Sequence, residues 1–109
     1  MKLVFAIVQH DDGKKVMDEL SKSGFSVTKL CSTGGFLKAG NLTLMMGVEE
    51  DKVDEVLAII EKKSKSRKQG IQVTTPVNDM GGVFIPNEIE VTVGGATIFI
   101  TDIFRHEKF

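Results

Sequence analysis

The amino-acid sequence predicts a single α+β domain in the order β-α-β-β-α-β, with its last strand elaborated into a hairpin that follows a long loop. Three observations predict it. The chain opens on an unbroken apolar run, two later segments repeat apolar residues at helical spacing, and glycine-rich punctuation divides the remaining apolar runs into strand-sized pieces. With 109 residues there is room for one domain over 1–109 and none for a second.

Leu3 to Val8 is apolar at nearly every position, which predicts a first strand buried on both faces. His10, Asp11, Asp12 and Gly13 punctuate it, with either Asp able to cap a helix. Val16, Met17 and Leu20 then recur at helical spacing, giving a helix from Gly13 to Ser23 with Gly24 as its stop. Phe25 to Ser32 mixes β-branched and aromatic residues with polar ones and reads as a second strand. Thr33 to Asn41 holds three glycines and is expected to be a loop. Leu42 to Val48 is a third strand, paired with the second.

Glu49, Glu50 and Asp51 put negative charge at a helix start, and Val53, Val56, Leu57 and Ile60 follow at i, i+3, i+4 and i+7. Lys62, Lys63, Lys65, Arg67 and Lys68 crowd the end of this second helix and lead into an exposed turn. Gln69 to Asn87 contains both prolines and three glycines and is expected to be a long, partly mobile loop. Ile89, Val91 and Val93 alternate with polar residues, then Gly94-Gly95 precedes Ala96 to Ile100, the pattern of a tight two-residue hairpin. The order of elements is that of the ferredoxin-like, split βαβ arrangement.

Fourteen Lys and Arg against fifteen Asp and Glu give a net charge of -1, which excludes the strong positive field of a non-specific nucleic-acid binder. No apolar run approaches a membrane span, and the N-terminal run stops too soon for a secretion signal, so a cytoplasmic protein is expected. A single cysteine, Cys31, predicts a reduced, structural thiol. At this size a monomer buries only about 60 to 70% of its unfolded surface, so an apolar sheet face is expected to need another subunit.

The stretch from Thr28 to Val48 is the most informative. Thr33-Gly34-Gly35 leaves backbone N–H groups unshielded, so the turn can donate to an anion or nucleotide. Phe36 and Leu37 add apolar surface, and Asn41 adds an amide able to read a base edge. The same residues also suit an ordinary glycine turn with Phe36 tucked into the core. The spacing is neither a Walker A motif nor a dinucleotide fingerprint. Gly94 to Thr97 taken alone reads as a turn, Phe99 reads as a core aromatic with stacking on a base as the functional alternative, and Met80-Gly81-Gly82 is a candidate lid or partner-contact element. His10-Asp11-Asp12 reads more economically as capping residues than as a metal site, and His106 has no evident partner. No nucleophile-and-base arrangement is discernible, which predicts that the protein is not an enzyme. The Lys62 to Lys68 run reads as a solvated helix end, with an acidic partner or phosphate as the functional alternative.

The segments KLVFAIVQ, TKLCSTGGFLKAGN, GVEEDKVDEVL and EIEVTVGGATIFI resemble the PII-like cyclic di-AMP receptor proteins over essentially the whole chain, most specifically through TGGFLxxGN at Thr33 to Asn41. The resemblance implies a PII-like, ferredoxin-like subunit assembled as a homotrimer that binds cyclic di-AMP in three pockets between neighbouring subunits. It also implies a non-catalytic signal receptor with no metal or further cofactor and with an unknown downstream protein as its partner. Carried over by motif, Thr28, Gly35, Phe36, Leu37 and Asn41, with Gly47 nearby and Phe99 from the last strand, form the ligand-contacting set. Some relatives carry a basic residue where this chain has Ser26 and an amide where it has Lys108, which leaves Lys29, Lys38 or Lys108 to neutralise the phosphates. The alternative is a PII-type regulator responsive to ATP and 2-oxoglutarate. Such proteins place their long loop between the second and third strands, whereas here that connection is short and the later one long.

Overall fold

Residues 28–30, 41–48, 2–9 and 96–102 form, in that order across the sheet, one antiparallel sheet of four strands, and two more strands form a separate sheet. The computed structural model describes residues 1–30, 40–77 and 83–109, with 71–77 and 83–88 described by their backbone. In chain order the elements are β1 (Lys2–Gln9), α1 (His10–Lys22), β2 (Thr28–Leu30), β3 (Asn41–Val48), a 3-10 turn (Glu50–Lys52), α2 (Val53–Ser64), β4 (Arg67–Val77), β5 (Val83–Val93) and β6 (Ala96–Asp102). This is a small α+β domain whose main sheet is compatible with the ferredoxin-like arrangement, with β6 completing it.

The sheet register decides which side chains reach the core. β1 pairs with β3 from Lys2 opposite Val48 to Gln9 opposite Asn41, and with β6 from Lys2 opposite Asp102 to Val8 opposite Ala96. Val4, Ala6 and Val8 therefore share a face with Leu44, Met46 and Val48, and all six are buried under the helices. Val16 and Leu20 of α1 and Val56 and Ile60 of α2 close that core, and Val53 packs at its margin. The expectation that β1 is buried on both faces is corrected by its alternating burial. Leu3, Phe5 and Ile7 face away from the helices and are only partly buried. Two helices cover one side of the sheet, and nothing among the described residues covers the other to the same depth.

The helix boundaries show where side-chain chemistry was misassigned. α1 begins at His10 directly after β1, three residues earlier than expected, because the His10 N–H donates to the Gly40 carbonyl at 2.7 Å and needs no capping side chain. Neither Asp caps the helix. Asp12 is instead buried in its first turn, where it accepts two hydrogen bonds from the Arg67 guanidinium at 2.9 and 3.3 Å. The stop at Gly24 is as expected. Gly24 has φ +91°, the Phe25 N–H reaches the Leu20 carbonyl at 3.0 Å, and the Gly24 N–H reaches Ser21 at 3.1 Å, the paired bonds of a Schellman ending.

Two expectations about the C-terminal third are overturned. The expected loop from Gln69 to Asn87 is largely β-structure, a ribbon in which β4 and β5 pair from Arg67 opposite Val93 to Val77 opposite Val83. Pro76 and Pro86 lie within it. A two-stranded ribbon has an unpaired edge on each strand, where the missing proline N–H costs no ladder bond. Eleven residues per strand correspond to about 35 Å of ribbon. The Cα radius of gyration is accordingly 19.1 Å, against about 13 Å for a compact chain of 100 residues.

The expected hairpin across Gly94-Gly95 is also absent. Val93 stays with β4, whereas Ala96 crosses to pair with Val8 of β1, so the two glycines connect one sheet to the other. β5 pairs with β4 alone, and its other edge carries no strand among the described residues. β1 meanwhile offers an open edge whose core row is completed by Ile98 opposite Ala6. The glycines remain necessary for their conformation, with φ of +82° and +93°.

Two tests follow from this packing. A Cβ on Gly94 would lie 2.7 Å from the Lys65 carbonyl and 3.0 Å from that of Ser64, whereas one on Gly95 would meet only Ser66 at 3.8 Å. Gly94→Ala is expected to destabilise by more than about 2 kcal/mol, and Gly95→Ala by about 1 to 2 kcal/mol from backbone strain alone, as read by denaturant unfolding. At the other end of the sheet, Lys2 donates to Asp102, lowering its carboxyl below the ordinary value, while the same bond raises the Lys2 ammonium. A lowered acid contributes stability above its unfolded pKa and loses it as pH falls through the folded one. A raised base contributes below its unfolded pKa and loses it as pH rises. The stability difference between the native chain and Lys2→Met should therefore be greatest at neutral pH and shrink at both extremes, with the Asp102 carboxyl titrating higher in the variant by NMR.

Candidate functional site

Strand register brings the described candidate residues onto one surface. In β3 the odd-numbered positions Asn41, Thr43, Met45 and Gly47 face away from the helices, together with Leu3, Phe5, Ile7 and Gln9 of β1. Thr28 lies opposite Met45, Met45 opposite Phe5, and Phe5 opposite Phe99, so one transverse row crosses all four strands on this open face. Thr28, Asn41, Gly47 and Phe99 thus share a face. Gly35, Phe36 and Leu37 lie outside the described residues, as do Cys31, the rest of the Thr33 to Ala39 loop and the Met80-Gly81-Gly82 element.

Sharing a face does not make these residues one pocket. Thr28 and Phe99 are three strand spacings apart, about 14 Å, and Asn41 and Gly47 are six residues apart along β3, about 20 Å. Asn41 opens on a cavity of about 310 Å³ lined also by Ile7, Val8, Gln9 and the Gly94 to Thr97 segment. Gly47 lines a different concavity of about 410 Å³ beside Met1 and the Ser23 to Ser26 turn. Phe99 is half exposed at 51%, so the expectation that a terminal-strand aromatic packs into the core gives way to a ring on the open face.

Several residues that sequence reasoning did not single out belong to this surface. Phe5 and Met45 supply the apolar centre of the transverse row, hidden in the sequence because β1 and β3 read as uniformly apolar. Gln9 lines the Asn41 cavity, and its Oε1 accepts the Gly94 N–H at 2.7 Å, tying the end of β1 to the root of the ribbon. Thr43, between Asn41 and Met45, is 4% exposed, and its hydroxyl has no hydrogen-bond partner among the described residues. No pattern in the sequence could have distinguished that threonine, because its burial depends on cross-strand neighbours.

The face therefore offers apolar side chains at its centre, amide and hydroxyl groups toward the Asn41 end, and bare backbone at Gly47. That mixture suits an extended ligand with flat apolar parts and polar edges. No cluster of three or more His, Cys, Asp or Glu side chains that could hold a metal ion occurs among the described residues. The sequence matches the profile of the Cyclic-di-AMP receptor family over residues 1–109. The chain belongs to the cyclic-di-AMP receptor family.

A solved structure shares the fold. The chain is 39% identical to a functionally unknown protein from Pediococcus pentosaceus, with a TM-score of 0.77, and the match covers 99% of this chain and 96% of that one. The described candidates share the sheet face away from the helices, with Asn41 and Gly47 on separate concavities. No helix among the described residues is long and apolar enough to cross a membrane.

The buried Thr43 hydroxyl carries a stability test. An unpartnered buried hydroxyl costs on the order of 1 to 3 kcal/mol. Thr43→Val should raise the stability of the ligand-free protein by about 1 kcal/mol, a Tm increase of about 4–8 °C in a domain of this size. Unchanged or lower Tm by calorimetry would mean that the hydroxyl is satisfied in solution.

Proposed function

We propose that this family member is a non-catalytic signal-transduction receptor, cytoplasmic and homotrimeric, that binds cyclic di-AMP between neighbouring subunits and thereby controls a partner protein. The observation that carries the reading is the family match over the whole chain, from Met1 to Phe109. The spread of candidates over about 20 Å of the sheet face away from the helices adds support, because residues so dispersed meet a single ligand most readily when a second subunit closes over them. The half-buried Leu3, Phe5, Ile7 and Met45 on that face give the second subunit apolar surface to bury.

In this reading Asn41 and the backbone at Gly47 meet adenine edges, Phe36 and Phe99 form apolar walls, and the Thr28 hydroxyl with the N–H groups of Gly35 to Leu37 meets phosphate or ribose. Binding changes the surface that segments 33–40 and 76–87 show to the partner by favouring whichever arrangement holds the ligand more tightly. No cofactor beyond the nucleotide is required.

Isothermal titration with cyclic di-AMP in EDTA, with cyclic di-GMP and ATP as controls, tests the reading. The expected result is saturable binding of cyclic di-AMP alone, one per subunit, with chromatography of the mixture showing no linear product. Asn41→Ala should weaken binding by about 3- to 10-fold, the value of one lost hydrogen bond, while light scattering still reports a trimer. Selective binding of ATP would instead favour the ATP- and 2-oxoglutarate-responsive regulator.

A further inference from the structure

A second surface lies on the helix side of the molecule, opposite the face just described. Lys15 of α1, Lys62 and Lys63 at the end of α2, Lys65 and Ser66 of the connection, and Arg67 at the start of β4 line a concavity of about 470 Å³ with no carboxylate in its wall. Asp12, beside it, is buried and already bound to Arg67. Lys15, Lys62, Lys63 and Lys65 make no ion pair among the described residues. A chain of net charge -1 thus gathers five cations in one hollow at the root of its ribbon.

The helix dipole accounts for part of this. Cations near the last carbonyls of α2 are favourable, which explains Lys62 and Lys63. It does not explain Lys15, on another helix, or the single-sign wall. The chemistry of the hollow also selects among anions. A compact phosphate is held best by backbone N–H groups at a helix start. Here the helix presents its carbonyl end, which repels a phosphate brought close. No aromatic residue lines the hollow to stack on a base. Long, mobile ammonium groups instead suit carboxylates on a flexible segment, which meet the lysine tips and stay clear of the carbonyls.

We infer that the Lys15, Lys62, Lys63, Lys65 and Arg67 hollow docks an acidic segment of a partner protein at the root of the β4–β5 ribbon. The inference rests on the reading of the chain as a receptor that acts through a partner. Because Arg67 belongs both to the hollow and to β4, a docked segment touches the element that carries the ribbon. Thr28, Asn41, Gly47 and Phe99 lie on the other face of the sheet, and the Asn41 cavity approaches this corner only through Gly94 and Gly95.

The test uses a fluorescein-labelled twelve-residue glutamate peptide as probe, with tripolyphosphate and phosphatidylglycerol vesicles as separate arms. Fluorescence anisotropy at low salt should show saturable peptide binding that weakens at least tenfold as salt rises to physiological ionic strength. Amide shifts in NMR should be confined to Lys15 and the Lys62 to Arg67 segment. Lys62→Glu with Lys63→Glu and Lys65→Glu should weaken peptide binding at least tenfold, and the corresponding triple glutamine variant should fall between. Thermal unfolding reports whether each variant is folded, with the glutamine variant carrying the test if the glutamate one is not. Shifts spread over lysines elsewhere, displacement of the peptide by equimolar tripolyphosphate, or binding of vesicles but not peptide would each overturn the inference. Both variants should bind cyclic di-AMP like the parent. A parent that binds peptide but no cyclic di-AMP would count against the receptor reading and leave the hollow assigned.

Discussion

The bond between Asp12 and Arg67 is the constraint on which the arrangement of the two sheets depends. Asp12 lies in the first turn of α1 with almost no exposure, a position that a carboxylate tolerates only with a partner. The partner is the first residue of β4, half exposed and also donating to the Lys65 carbonyl at 3.2 Å, and the carboxylate raises its already high pKa further. One ion pair thus fixes where the ribbon leaves the body. The return strand is held at the same corner, where the Gly94 N–H donates to Gln9 and the Gly95 N–H donates to the Ser64 carbonyl at the end of α2. α1, α2, β1 and both strands of the ribbon therefore meet within a few residues, and the tight fit around Gly94 follows from that crowding.

This corner also explains which parts of the structure could be read from the sequence. The two helices carry their burial in local periodicity, so Val16, Leu20, Val56 and Ile60 were identifiable as core without any knowledge of pairing, whereas the uniformly apolar β1 hid which of its faces is the core. Gly24 announced its helix ending for the same local reason. The ribbon was illegible because Gly70, Pro76 and Pro86 are breakers in a central strand, yet are tolerated where each strand has an open edge. Gly94-Gly95 was misread because the same positive φ serves a hairpin and a crossover between sheets. Only the pairing of Ala96 with Val8 distinguishes them. Asp12 looked like a cap because its partner is 55 positions away in sequence.

The candidate site shows a similar division. Motif resemblance selected Thr28, Asn41, Gly47 and Phe99, and the register, which a motif does not encode, puts all four on one face of the sheet. What the motif could not supply was the apolar pair Phe5 and Met45 or the buried Thr43, since their roles exist only when strands align across the sheet. The row from Thr28 to Phe99 is a property of four strands from separate parts of the chain. A shift of any strand by one residue would turn its contribution toward the helices.

The two faces of the sheet divide the surface chemistry as well. The open face is apolar at its centre and polar at the Asn41 end, whereas the helix side carries charge sorted along α2. Glu49, Glu50, Asp51, Asp54 and Glu55 gather at or near its start, and Lys62 and Lys63 lie at its end. The dipole of one helix favours both groupings, so a chain with nearly balanced charge acquires strongly charged poles at little cost to its stability. The positive pole coincides with the corner where Arg67 fixes the ribbon. Charge that stabilises α2 is thus placed beside the one element that extends from the body, and a molecule that senses that charge necessarily meets the base of the ribbon.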